Sequence, residues 1–275
     1  MRLPGLVRQT TLLTAVALYT AVAGAPVLWV AVMSLRTTSE ISADAYGWPS
    51  PAHWGKYAAA WTTSHYGTYF WNSTVIVLGA VAGLTVVGSM AAHALARYRF
   101  RGNRLLYFVL FSAIIFPPQL TIISLFQVLV EYGLFNTRLG VALVYMAIQL
   151  PLTFYILEGF FTRIPQDYFD AATLDGCSDL GVFWRLTVPI GMPAIATTII
   201  LNLIELWNEF LYAVVLVTDD DKRTLPLGIM RFLGDKMEDV GMIATGMMIA
   251  IVPIILVYAV LSERLIRGMT AGVLK

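Results

Sequence analysis

The sequence has one cysteine, three histidines and few charged residues, and each shortage excludes a class of protein. Cys177 alone permits neither an internal disulfide nor a thiolate zinc cage. The histidines lie far apart, with no HExxH or CxxC motif beside them, so we expect no metal site. Lysine and arginine total 18 against 17 acidic residues. This balance argues against a nucleic-acid partner, because binding to phosphates needs a basic surface.

Motifs for nucleotide hydrolysis and covalent catalysis are also missing. The only Gly-Lys dipeptide, Gly55-Lys56, is followed by Tyr57 and lacks the upstream glycine of a P-loop. No G-x-S-x-G elbow occurs. We therefore expect a chain that is not an enzyme and binds no cofactor itself. Any work across a membrane must then be driven by an ion gradient or by a separate subunit.

Long apolar stretches are abundant. Of 275 residues, 58% are hydrophobic and 13% charged, and six stretches of at least 19 residues contain no Asp, Glu, Lys or Arg. A helix needs about 20 apolar residues to cross the hydrocarbon core of a bilayer. We predict an all-α integral membrane protein with a single transmembrane domain over residues 1–275 and six helices. They lie near 12–35, 69–95, 105–130, 139–161, 192–217 and 240–261.

The first helix has an alternative interpretation as a signal peptide, because Arg2 and Arg8 precede an apolar core and Ala23-Gly24-Ala25 resembles a cleavage site. Apolar sequence continues to Leu35, which is too long for that interpretation. Four arginines between helices two and three predict that this loop is cytoplasmic, and six spans then place both termini there. Lys222 and Arg223, between helices five and six, conflict with this orientation, as do Arg231 and Lys236.

The cytoplasmic connection between helices four and five, residues 163–189, predicts a short helix outside the membrane. Pro165 suits a helix start, Asp167 lies in the first turn, and Gly176 suits a left-handed cap. Ser178 is expected to cap a second helix from Asp179 to about residue 187, separated from the fifth span by two prolines. An ordinary amphipathic connector is the alternative interpretation.

The same connection carries a recognisable motif. Asp170-Ala171-Ala172, Gly176 and the segment Leu186 to Pro189 follow the spacing of the EAA loop of permease subunits in binding-protein-dependent ABC importers. Trp207-Asn208-Glu209-Phe210 and the C-terminal segment from Arg267 to Lys275 also resemble the second permease subunit of maltose-type carbohydrate importers. The main departure is Asp170, where the family usually has glutamate. The carboxylate is kept on a side chain one methylene shorter.

The resemblance implies a type I ABC importer permease fold and a heteromeric assembly in the bacterial inner membrane. The expected partners are a second homologous permease, two copies of a cytoplasmic ATPase that bind ATP and magnesium, and an extracellular solute-binding protein. The EAA loop would be a coupling helix seated in a cleft of the ATPase, so that ATP-driven closure rocks the permeases between inward and outward access. The C-terminal tail would also reach the ATPases.

This resemblance assigns roles to two groups of residues. The ATPase-coupling group is Tyr168, Asp170, Ala171, Ala172, Asp175, Gly176 and Pro189. The tail group is Gly268, Thr270 and Lys275, for which a frayed terminus is the alternative.

Polar residues inside predicted spans suggest a solute path, because they are costly in a bilayer. The candidates are Gln119, Gln149, Asn202, Glu205, Asn208 and Glu209. Packing, or contact with the binding protein, is the alternative for the last two.

Three functions therefore remain open from the sequence. The first is an importer permease for a sugar or sugar-like solute, the second a proton-coupled secondary transporter using Glu205 and Glu209, and the third a membrane-embedded enzyme. The sequence does not identify the solute.

Overall fold

The structure of the chain is a computed structural model that describes residues 3–232 and 239–271. The described residues form helices joined by turns and short loops. The α-helices are α1 (Leu3–Ser34), α2 (Thr38–Ala43), α3 (Gly55–Thr62), α4 (Tyr66–Arg97), α5 (Asn103–Ile115), α6 (Ile122–Glu131), α7 (Arg138–Phe161), α8 (Gln166–Leu174), α9 (Asp179–Val182), α10 (Val188–Trp207), α11 (Leu211–Leu216), α12 (Leu225–Gly228) and α13 (Val240–Ala271).

Within the described part of the chain, five helical stretches are long and apolar enough to cross a membrane, and a bent pair of helices could supply a sixth span. The predicted all-α membrane architecture is confirmed. The five stretches are Gln9–Ser34, Tyr66–Arg97, Arg138–Phe161, Asp179–Trp207 and Val240–Val260.

The predicted third span, near 105–130, is a broken helix rather than a straight one. α5 ends at Ile115, a 3-10 turn follows at Pro118–Thr121, and the two helical segments differ in direction by 100°. Pro117 has an extended ψ of 119°. Consecutive prolines lack amide hydrogens and disfavour helical geometry in the residue before each of them, so the helix cannot continue.

The fifth span also differs from its prediction. The two prolines do not separate it from the preceding helix, because α9 continues into α10 through a π-helical turn at Phe183–Thr187. The Val188 amide donates to the carbonyl of Phe183, five residues back. This wider turn shifts the carbonyl that the ring of Pro189 would otherwise strike, so the helix passes through. At the other end the helix stops at Trp207, ten residues before the predicted end.

The chain divides into two compact units, of which the first contains residues 1–67 and 228–252. In this unit, hydrogen bonds connect the start of α13 and the residue before it to the end of α1 and the start of α2. Thr245 Oγ1 donates to the Ser34 carbonyl at 3.0 Å, and Thr38 Oγ1 donates to Asp239 at 2.6 Å. A capping box between Thr37 and Glu40 starts α2. The prediction of one transmembrane domain over residues 1–275 stays a prediction.

The second unit contains residues 68–227 and 253–275. Its core lies among α4, α7 and α10, where Tyr145, Phe154, Leu157 and Phe161 of α7 are fully buried. Asn202 of α10 donates to Thr153 Oγ1 of α7 at 2.8 Å in this buried environment. This unit holds the candidate coupling loop.

Candidate functional site

Local sequence explains the short helix α8. Pro165 precedes it with an extended ψ of 142°, so the chain turns sharply before the helix begins. At its end Gly176 has φ of +78°, its amide donates to Thr173 O, and the Cys177 amide donates to Ala172 O, both at 3.0 Å. This pair of bonds is a Schellman cap, which a left-handed glycine makes possible. The helix expected outside the spans, and its glycine cap, are present.

The following helix begins as expected from the sequence. Ser178 is its N-cap and accepts a hydrogen bond from the Gly181 amide at 3.2 Å. The two caps fix the path of the chain between α8 and the long helix that starts at Asp179.

Most of the predicted coupling residues lie on the surface. Phe169 is the buried residue of α8, and Ala172 is partly buried, whereas Tyr168, Asp170, Ala171 and Asp175 are exposed. Leu174 is 88% exposed and Tyr168 55% exposed. Asp170 accepts a hydrogen bond from the Gln166 side chain at 3.0 Å. The helix therefore presents the Asp170 carboxylate to solvent, together with the largely exposed side chains of Leu174 and Tyr168.

Pro189 and Gly176 are also exposed, but each has a backbone role. Gly176 closes α8, and Pro189 lies in the first turn of α10. Both residues therefore affect the path of the backbone on either side of α9.

The arginine-rich loop and α8 lie at the same end of the second unit, which we call the Arg97 end. An Arg97 guanidinium nitrogen donates to the carbonyls of Phe161 and Ile164, immediately before α8. Tyr98 donates to the Asp179 carboxylate at 3.1 Å. Burial, together with this carboxylate, raises the pKa of Tyr98.

Two of the basic residues that conflicted with the predicted orientation, Lys222 and Arg223, lie at the opposite end, which we call the Asn72 end, and Lys236 lies outside the described residues. Asn72 donates to the backbone carbonyls of Asp221 and Arg223. Lys222 pairs with Asp219 at 2.8 Å, and Arg223 pairs with Asp220 at 3.4 Å. These cations therefore each have an acidic neighbour three residues earlier.

Sequence reasoning missed how α8 is attached. The ring of Phe169 lies under the Arg97 guanidinium, with 3.8 Å between the guanidinium carbon and the ring centroid. His93, one turn earlier on α4, has its ring centroid 6.3 Å from that of Phe169 and bonds to Thr187 Oγ1 at 3.0 Å. The available signal was a pair of adjacent aromatic residues, Tyr168 and Phe169, in a short helix outside the spans, which does not show which of the two is buried.

The candidate path residues do not form one group. Asn202 is buried and bonded to Thr153, which gives it a packing role. Glu205 on α10 and Asn208, which directly follows that helix, are exposed, and Asn208 donates to Ile204 O. Gln149 is half-buried on α7, and Gln119 is exposed in the 3-10 turn after α5.

Glu209 has a definite structural role. Its Oε1 accepts from the Tyr212 amide at 2.8 Å, and its Oε2 accepts from the Ala213 amide at 3.2 Å. Both oxygens thus cap the first turn of α11, where the exposed amides favour an anion. This cap accounts for the restart of the helix at Leu211 after α10 has ended at Trp207.

The structure describes the backbone of two of the three predicted tail residues. α13 extends to Ala271, so its backbone includes Gly268 and Thr270. Lys275 lies outside the described residues.

Comparison with known proteins adds independent findings. Residues 84–272 match the family described as binding-protein-dependent transport system inner membrane component. The chain is 36% identical over 249 residues to the diacetylchitobiose uptake system permease protein NgcG of Streptomyces coelicolor, covering 90% of this chain and 82% of the relative. It is 34% identical over 252 residues to the trehalose transport system permease protein SugB of Mycobacterium tuberculosis, covering 91% and 92%.

A solved structure shares the fold. A chain from a bacterial ABC transporter involved in alginate import superposes with a TM-score of 0.79 at 20% identity, covering 96% of this chain and 98% of that one.

Proposed function

The chain belongs to the binding-protein-dependent transport system inner membrane component family, and on this premise we propose that it is the permease subunit of an ATP-driven importer for a sugar or sugar-like solute. An extracellular binding protein delivers the solute, and alternating access carries it across the membrane. The solute class is supported by the relatives, whose names specify diacetylchitobiose and trehalose transport.

The observation that carries the ATP-driven mechanism is the exposed face of α8. Leu174 lies four residues after Asp170 and three after Ala171, so its side chain is next to both of them, on the side of the helix away from the buried Phe169. An exposed leucine beside a carboxylate fits a cleft with an apolar floor and a basic rim. We assign that cleft to an ATPase subunit, with Asp170 as the charged anchor.

The remaining parts of the assembly follow from the same assignment. A second, homologous permease completes the path, and two ATPase copies bind ATP and magnesium, for which this chain carries no P-loop. The protein lies in the bacterial inner membrane with both termini in the cytoplasm. This orientation is supported by the common position of α8 and the arginine-rich loop at the Arg97 end.

A proton relay through Glu205 and Glu209 is disfavoured by the capping role of Glu209. Both carboxylate oxygens accept hydrogen bonds from backbone amides of α11, so this side chain is engaged in the fold rather than placed along a path.

Co-expression with the neighbouring transport subunits tests the proposal. The chain should copurify with an ATPase and a second permease, and solute uptake should stop when the ATPase carries a hydrolysis-deficient substitution.

Asp170→Lys should uncouple ATP hydrolysis from uptake while leaving the membrane part folded. Glu131→Lys makes the same charge change on an exposed residue of α6 and serves as the control. Normal coupled uptake by the Asp170 variant would refute the assignment of the anchor.

A further inference from the structure

α8 is attached to the rest of its unit mainly through one side chain. Phe169 is 6% exposed and is the buried residue of the helix. Ala172 and Cys177 make partial contacts with the same apolar cluster, which includes Phe161 and Ile164. Ala172 has only a methyl group, so most of the apolar area that holds α8 belongs to the Phe169 ring.

Arg97 holds this ring and the chain leading to it. Its guanidinium carbon is 3.8 Å from the centroid of Phe169. One of its terminal nitrogens donates to Ile164 O at 2.6 Å and also to Phe161 O. These carbonyls belong to the end of α7 and to the following loop, where unpaired carbonyls favour a cation. One side chain at the end of α4 thus contacts α7, the loop and α8.

The pocket around the ring is closed on its other side by α4 and the π-helical turn. His93 and Phe183 have ring centroids 5.4 Å apart, and His93 bonds to Thr187, which is fully buried. The wall that faces Phe169 is therefore fixed by a buried hydrogen bond and aromatic contacts. The opposite side of the pocket is formed by the guanidinium of Arg97, which is carried on a long side chain.

We propose that Arg97 is a positioning residue that locks α8 to α4 through Phe169, so that the two helices move as one body. The mechanical consequence rests on the proposed function: a locked α8 would transmit the movement of a docked ATPase to the second membrane span. Without the guanidinium, α8 keeps its caps but loses its cation–π contact and the bond that holds Ile164.

The test measures the distance between α8 and α4 directly. In a Cys177→Ser background, spin labels are attached at Thr173→Cys and Val87→Cys, both exposed positions. Pulsed electron resonance on the chain in lipid nanodiscs then reports the distribution of distances. We expect one narrow distance for the otherwise unchanged protein, with and without the ATPase.

Substitutions in the lock should create a second, undocked population. Loss of a cation–π contact should raise the ratio of undocked to docked α8 by about 2- to 30-fold. Arg97→Gln and Phe169→Met should produce the increase, and Arg97→Lys, which keeps the charge and one donor, should produce less. Arg99→Gln and Phe108→Met, on exposed residues of the same region, are the matched controls and should leave the distribution narrow.

Each result has a definite meaning. An unchanged narrow distance in Arg97→Gln and Phe169→Met would overturn the proposal, and so would equal broadening in the controls. A second readout in the assembled complex is the stimulation of ATP hydrolysis by the binding protein, which should fall in the lock variants at unchanged thermal stability. Failure of the chain to copurify with an ATPase would overturn the proposed function instead, because the nanodisc measurement does not need that partner.

Discussion

The two ends of the second unit are held together in different ways. At the Asn72 end, side chains bond directly to the backbone of distant segments: Asn72 to two carbonyls, Asn136 to the amides of Thr218 and Asp219, and Ser73 to the Leu225 amide. At the Arg97 end, α8 depends on one aromatic ring and the guanidinium above it. A single substitution should therefore release α8, whereas damage at the Asn72 end should lower stability without freeing one helix.

The largest stability effect is expected for Asn72→Ala. Asn72 is fully buried, and its removal leaves the carbonyls of Asp221 and Arg223 without these donors. At about 1–2 kcal/mol for each of the two part-buried hydrogen bonds lost, the loss should be about 2–4 kcal/mol. Unfolding in mixed detergent micelles measures it. Asn208→Ala, on an exposed residue, is the control, and an equal loss there would contradict the comparison.

At the Arg97 end, Gly191→Ala should cost less, about 1–3 kcal/mol, through overpacking. A Cβ at this position would overlap the buried ring of Phe161, which precedes the loop to α8. Gly159→Ala has no neighbouring atom within 4 Å and should be neutral or slightly stabilising. Thermal denaturation of the two variants measures the difference. Equal stability would mean that the contact between α7 and α10 is looser than described.

Glu209→Ala should have a moderate effect, about 0.5–2 kcal/mol, since it removes the cap of α11. Glu209→Gln keeps one acceptor and should lose less. Neither change should alter the pH dependence of solute uptake. Uptake across pH 5.5–8 in cells, with Glu205→Gln beside it, checks this. A Glu209→Gln protein that is stable but shows a shifted pH profile would revive the proton relay.

The smallest effect is expected for Lys222→Ala. The bond from Lys222, followed by that from Asn136, holds the pKa of Asp219 below its usual value. A lowered acid pKa stabilises the fold above the ordinary carboxyl range, and this contribution is lost as the pH falls through the lowered value. The pair is solvent-exposed, so the change in thermal midpoint should be slight at pH 7 and vanish in acid. A larger effect in acid would contradict this sign.

Local features account for what could be predicted at the candidate site. The helix of α8 and its end at Gly176 follow from a proline, an acidic first turn and a glycine within one short segment. The choice of Phe169 as the buried residue could not be predicted in the same way. Phe169 and Tyr168 are neighbours of similar size, and only the position of Arg97 on another helix distinguishes them.

The sequence by itself determined the class of the protein and the approximate positions of its apolar stretches, because hydrophobic length and charge spacing act residue by residue against a bilayer. Tertiary structure alone decided the continuity of α9 with α10, the cap that Glu209 gives to α11, and the lock between Arg97 and Phe169. The locking residues are 72 positions apart, and such a contact exists only when α4, α7 and α8 pack together. No local pattern encodes it.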